Sequence, residues 1–116
     1  MQMKEFLEVQ GTLIDNEAAR GVNARVVIGR GDGAANFYMR VFEIAPGGHT
    51  PRHRHAWEHE MFVHAGAGEI FGNGVWQPLR AGNVVFIPGN EEHQMRNTGQ
   101  EPLLVVCLVP GSAPEL

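Results

Sequence analysis

Cysteine occurs once in the 116 residues, at Cys107, which excludes an intramolecular disulfide framework and any four-cysteine zinc site. Positive charge is also scarce. Nine Lys and Arg stand against 13 Asp and Glu, a formal net charge of −4 with a pI near 5.8. Without a basic stripe to neutralise phosphates, nucleic acid is not an expected partner. No apolar run approaches the ~18 residues of a membrane span, and Met1 to Glu8 carries acids where a signal peptide holds an apolar core. The expectation is a soluble, cytoplasmic protein with no membrane partner. The length suits one domain, residues 1–116, of a size that buries roughly two-thirds of its unfolded surface.

Glycine and proline, 15 and 7 in number, punctuate the chain at intervals too short for ordinary helices but suited to strands. The fold class expected is therefore all-β. Strands are predicted at Ala24–Ile28, Asn36–Ala45, His59–Ala65, Gly68–Phe71, Val75–Leu79, Asn83–Ile87, Gln94–Asn97 and Leu103–Val109, many of them rich in Val, Ile and Phe. Gly72-Asn73-Gly74 is a tight hairpin signal, because both residue types tolerate positive φ. In Phe37 to Ile44, parity sets Phe37, Met39, Val41 and Glu43 against Tyr38, Arg40, Phe42 and Ile44. Neither face is plainly wet, so the outer face is expected to pack on a second subunit, giving a homodimer. The first 23 residues lack clean periodicity; an edge strand near Phe6–Val9 and a helical turn near Asn16–Arg20 are the expectations there.

Four of the six histidines, His49, His53, His55 and His59, fall within eleven positions. In extended chain His53 and His55 project from one face, so two imidazoles converge on one point. A turn through Ala56-Trp57-Glu58 can bring His59 to the same place, and His93 can add a fourth ring from a distant segment. Neutral imidazole suits Zn, Cu, Fe and Ni, whereas carboxylates favour harder ions such as Mg and Mn.

At these residues the chain resembles the cupin superfamily. Gly47, His53, His55, His59 or Glu60, and Gly66 match the first cupin motif over 47–66; Gly82, Pro88, His93 and Asn97 match the second over 82–97. Asn90 stands where the second motif carries glycine, an exchange that a left-handed turn accommodates. Arg52 to Glu60 is similar to a subgroup of small single-domain cupins in which histidine replaces the usual glutamate ligand. The resemblance implies a double-stranded β-helix, a jelly-roll barrel of two antiparallel sheets, commonly dimeric, with one divalent transition metal (Mn, Fe, Cu, Ni or Zn) near the barrel mouth. The ligand set it implies is His53, His55, His59 and His93. Parity places His59 inward with Met61 and Val63; a bulge at Glu58–His59 would instead turn Glu60 inward, as fourth ligand or as an outer neighbour of the ligands.

The candidate catalytic residues are Glu60, Arg40 and His49. Arg40 can reach into the barrel to a substrate carboxylate, for which guanidinium geometry is suited, or can pair with Glu43 or Glu60. His49 is a rim or solvated residue and His64 a surface or interface one. Cys107 is a small buried hydrophobe, close to the metal if the face of Val105, Cys107 and Val109 lines the cavity. Phe37, Met39, Met61, Phe86 and Met95 are core by default, Trp57 shields the ligand loop or packs at an interface, and Arg52, Arg54, Glu58, Glu91 and Glu92 are solvated charges. Four neutral imidazoles leave open positions on an octahedral ion, so the leading expectation is O2-dependent oxidation or cleavage of a small organic molecule. Alternatives are non-redox isomerisation, epimerisation or decarboxylation, and non-catalytic binding of a sugar or metabolite.

Overall fold

The computed structural model describes residues 1–116 and contains nine strands, two 3-10 turns and no α-helix. The strands are β1 (Thr12–Ile14), β2 (Arg20–Ile28), β3 (Phe37–His49), β4 (His59–Ala65), β5 (Ala67–Gly72), β6 (Val75–Arg80), β7 (Val84–Ile87), β8 (Gln94–Arg96) and β9 (Leu103–Pro110). Every pairing is antiparallel. The order β6-β5-β8-β3-β9-β4-β7, with β2 also on β3 and β1 on β2, curls into an antiparallel jelly-roll barrel. The two halves of this continuous sheet are joined through β3. Its residues Phe37 to Ile44 lie along β9, while His49 pairs with Arg96 of β8. The bend between these stretches falls at Gly47, whose φ of 79° is a left-handed conformation that glycine adopts without penalty.

Alternation builds the interior. In β4, His59, Met61 and Val63 are buried while Glu60, Phe62 and His64 are exposed; in β9, Leu103, Val105, Cys107 and Val109 are buried. With Val22, Ile44, Ile70, Leu79, Ile87 and Met95, the side chains of Met61, Val63, Leu103, Val105 and Cys107 form the main core, while Val109 packs in a smaller cluster with Tyr38 and Ala113. Each fully buried aliphatic side chain contributes roughly 1.5–3 kcal/mol. The Asn73-Gly74 hairpin has φ of 50° and 77°, the primed turn its residues call for.

The N-terminal segment departs from expectation. Phe6–Glu8 is a 3-10 turn closed by Glu8 N–H to Glu5 O (3.0 Å) and Val9 N–H to Phe6 O (3.2 Å), and the strand comes later, at Thr12–Ile14. Ile14 opposite Val22 meets the core there, which Phe6 does not. No helical turn forms at Asn16–Arg20. Asn16 Oδ1 accepts from Ala18 N–H (2.8 Å) and Ala19 N–H (2.9 Å), a side-chain turn that competes with helix, and β2 starts at Arg20. Phe37 and Phe86, core by default in the sequence, are 58% and 60% exposed on the outer face, where parity leaves them once Tyr38 and Ile87 point inward.

Candidate metal centre

The two histidine-bearing loops are clamped together before any ligand is considered. His53 and His93 form an isolated antiparallel bridge, with N–H to O distances of 3.2 and 2.9 Å in the two directions. Asn90 adopts φ of 66° and its N–H reaches His55 O at 2.6 Å. Beside it, Gly89 lies so close to the Ala56 carbonyl that a Cβ there would collide with it. Asn97 is 3% exposed and ties the return of the second loop, donating to Ile44 O and Glu101 O at 2.8 Å each.

His53, His55 and His93 each offer a ring nitrogen within 4.8 Å of the others. The Nδ1 of His55 faces Trp57 O at 2.8 Å and that of His93 faces Glu91 O at 2.8 Å. A proton on each Nδ1 is donated to that carbonyl, which fixes the tautomer and leaves Nε2 as the free donor atom. His59, from the start of β4, adds a fourth ring to the group: its Nε2 lies 2.8 Å from His55 Nε2, and its ring centre is 4.5 Å from that of His55 and 5.2 Å from that of His93. Trp57 stacks flat on His55, at 4.4 Å and an interplanar angle of 6°.

Three of the rings, those of His53, His55 and His59, are held toward the neutral form. Loss of water pulls His59 down to about 3, helped by the Arg40 charge and by His55 and His93. The same loss, then the neighbouring His93 and His55 and Arg40, brings His53 to about 4. His55 is lowered as well, chiefly by burial. Neutral imidazole is the form that binds a metal, and three to four convergent rings with no carboxylate suit a borderline transition ion. The residues present therefore fit a divalent metal.

Around the rings lies a cavity of about 440 Å³, lined by the histidines, by Ile14, Phe42 and Met61, and by Pro114 and Leu116. Arg40 and Cys107 complete the wall behind His59. Cys107 Sγ is 3.3 Å from His59 Nδ1 and 3.1 Å from Arg40 Nη2, and burial pushes its thiol up. Of the other residues singled out in the sequence, Glu60 turns to the outer face beside Glu58, which raises its carboxyl pKa through a shared hydrogen bond. The pairing of β4 with β7 is regular from His59 opposite Ile87 to Phe62 opposite Val84, so no bulge inverts it. His49 lies at the end of β3 with Nδ1 3.1 Å from Thr50 O, outside the cavity lining. Arg40 pairs with neither expected acid, since Glu43 binds Arg25 at 2.9 Å. His64 is exposed on the outer face, edge-on to Phe6. The carbonyls of Trp57 and Glu91, and the place of Pro114 and Leu116 in the cavity wall, carry no sequence signal: the first act through backbone and the second through long-range packing.

A cupin-domain family model matches residues 40–109, more than half of the chain and the stretch that holds all four rings. The chain belongs to the cupin family. Among curated relatives, this cupin is 31% identical over 107 residues to auxin-binding protein 1 of Arabidopsis thaliana, covering 82% of this chain and 53% of the relative. It is 39% identical over 80 residues to protein SchB of Streptomyces halstedii, covering 67% and 58%. The cupin thus spans little more than half the length of these relatives. Among solved structures, it superposes on the polyketide cyclase RemF from Streptomyces resistomycificus with a TM-score of 0.88 and 27% identity, covering 96% of this chain and 80% of that one.

Proposed function

We propose that this cupin is a mononuclear metalloenzyme acting on a small organic molecule, with His53, His55, His59 and His93 as its ligands. The observation that carries the reading is the convergence of histidine rings, two with Nδ1 spent on backbone carbonyls, in the wall of a largely apolar cavity. A bound divalent ion would supply Lewis acidity toward a carbonyl or enol oxygen, or, with a redox-active metal, a meeting point for substrate and O2. The chain's own part is positional. Trp57 braces His55, Arg40 and Cys107 back His59, and Ile14, Phe42 and Met61 exclude water from one side of the substrate.

Non-redox chemistry on an enolisable carbonyl compound is the leading reaction class, supported by the likeness to a polyketide cyclase along nearly the whole chain. O2-dependent oxidation is the second reading, supported by an all-nitrogen donor set that suits Fe, Cu or Ni as well as Zn. Plasma mass spectrometry of the cytoplasmically expressed, tag-free protein tests the site. About one equivalent of a transition metal, lost in a His53→Ala, His55→Ala variant and halved or worse in His59→Ala, is expected; no metal in the wild type after reconstitution would refute the site, and full retention in His59→Ala its fourth ligand. Turnover that persists without O2 selects the first reaction class, and turnover abolished by anaerobiosis selects the second.

We further propose that a second copy covers the outer face of β3, β4 and β7. Phe62, Val84 and Phe86 are 46%, 78% and 60% exposed there and form one apolar groove with Met39, Val106 and Leu108. A patch of this kind marks an interface. Light scattering should give twice 12.7 kDa for the wild type and a monomer for Phe62→Glu, Phe86→Glu; a monomeric wild type would remove the dimer.

A further inference from the structure

Arg40 is a buried cation with no counter-charge. It stands on β3 with 6% of its surface exposed, and a guanidinium stays charged at any working pH. The two carboxylates within reach in sequence are taken or turned away: Glu43 is bonded to Arg25, and Glu60 faces out beside Glu58. What touches Arg40 is poorly matched to a full charge. Nη2 meets Cys107 Sγ at 3.1 Å and His59 Nδ1 at 3.4 Å, Nη1 meets only the Glu115 carbonyl at 3.4 Å, and the Phe42 ring lies 4.9 Å away. Nε has no partner at all. A buried charge costs free energy unless it is paired.

The cavity into which Arg40 is set sharpens the point. The chain carries 13 acidic residues against 9 Lys and Arg, yet the cavity lining includes Arg40 and Arg54 and no aspartate or glutamate. A cleft whose side-chain charges are of one sign, with low-dielectric walls, concentrates the opposite ion. The counter-charge that the fold omits is one that a ligand brings.

We propose that Arg40 receives the carboxylate of a small organic acid whose apolar body lies along Ile14, Phe42 and Met61. The guanidinium fork meets a carboxylate with parallel N–H donors, and the long contact from Nη1 to the Glu115 carbonyl is the one such a ligand replaces. This inference deepens the small-molecule reading of the site and rests on it for the use of the cavity, but Arg40 carries its charge whether or not a metal is bound.

Sodium hexanoate and its neutral analogue hexanamide separate the charge from the apolar contact. Titration calorimetry is run on the protein as purified and after dialysis against chelator, with metal content measured on the same samples. Hexanoate is expected to bind roughly ten- to a hundredfold more tightly than hexanamide in both states. Arg40→Met should abolish that preference and Arg40→Lys keep part of it. Exchanging an unpaired buried charge for an apolar stem should leave the melting temperature of Arg40→Met unchanged or raised. Equal binding of acid and amide by the wild type, a preference that survives in Arg40→Met, or one that exists only with metal bound would overturn the proposal. So would an Arg40→Met protein that melts lower or fails to fold, or a Cys107 thiolate absorbance at neutral pH, which would make the sulfur the counter-ion. Protein that takes up no metal yet keeps the preference would remove the metalloenzyme reading and leave this one standing.

Discussion

Acid should destabilise the metal-free protein well before its carboxylates titrate. An ordinary histidine has a pKa of 6.5, whereas His59 and His53 are held at about 3 and about 4 in the folded chain. Between about pH 7.5 and pH 5.5 the unfolded chain takes up protons at these positions and the folded one does not. The sign follows directly: the contribution is complete above 6.5 and falls with pH until the folded rings themselves protonate, near 4 and then near 3. One unit below 6.5, a ring that stays neutral while its unfolded counterpart is charged costs about 1.4 kcal/mol, whatever its folded value so long as it lies well under 5.5. His59 is 5% exposed and counts in full. His53 reaches solvent, which screens its share. A loss of roughly 1.5–3 kcal/mol across the window is therefore expected. Glu60, raised by Glu58, acts in the opposite sense, but it is exposed and its effect is small. Urea unfolding in chelator at the two pH values measures the difference, and His59→Leu should remove half of it or more. Equal wild-type stability at both pH values, or an unchanged difference in His59→Leu, refutes the reasoning.

Gly89→Ala should weaken metal binding by roughly tenfold, because a Cβ there displaces the Ala56–Trp57 turn whose carbonyl orients His55; competition with a chelating dye measures it, and unchanged affinity would mean that the turn yields freely. Copper(II) should quench Trp57, stacked 4.4 Å from His55, and a Trp57→Phe protein, left with Trp76 alone, should show most of that quenching gone. Ile44→Ala, at a fully buried core position, should cost about 2–5 kcal/mol in urea unfolding; a loss below about 1 kcal/mol would mean that the barrel collapses onto the vacated space.

Strand interiors were the legible part of this fold. β4 matches its predicted bounds, His59–Ala65, and β9 extends its own by one residue to Pro110, because buried and exposed residues alternate in both and period two is a local signal. The inward turn of His59 was legible for the same reason. What alternation does not carry is who lies opposite. Glu43 was a plausible partner for Arg40 by sequence distance, yet β2 runs alongside β3 and delivers Arg25 to that carboxylate instead. The first strand escaped notice because Thr12–Ile14 is short and draws its stability from Val22 and the core beyond it, not from its own pattern. The Asn16 turn reads as helix by composition, but its side chain satisfies the very N–H groups that a helix would use.

The seam formed by β3 sets the order in which this molecule can be made. Its partners on one edge lie about sixty to seventy residues downstream, from Phe37 opposite Pro110 to Ile44 opposite Leu103, and pairings of such separation are slow to find. As a nascent chain leaves the ribosome, the two histidine-bearing loops emerge while the wall of Arg40 and Cys107 behind His59 is still incomplete. The hairpin of β5 and β6 can form early from neighbouring residues, but the compartment closes only when β9 slots between β3 and β4. Any ion captured before that moment meets loose, solvated histidines with little power to discriminate. If the site holds a metal as proposed, its selection would be tied to the last step of folding, and the ion available where the chain completes itself would have an advantage over the ion that would bind best at equilibrium.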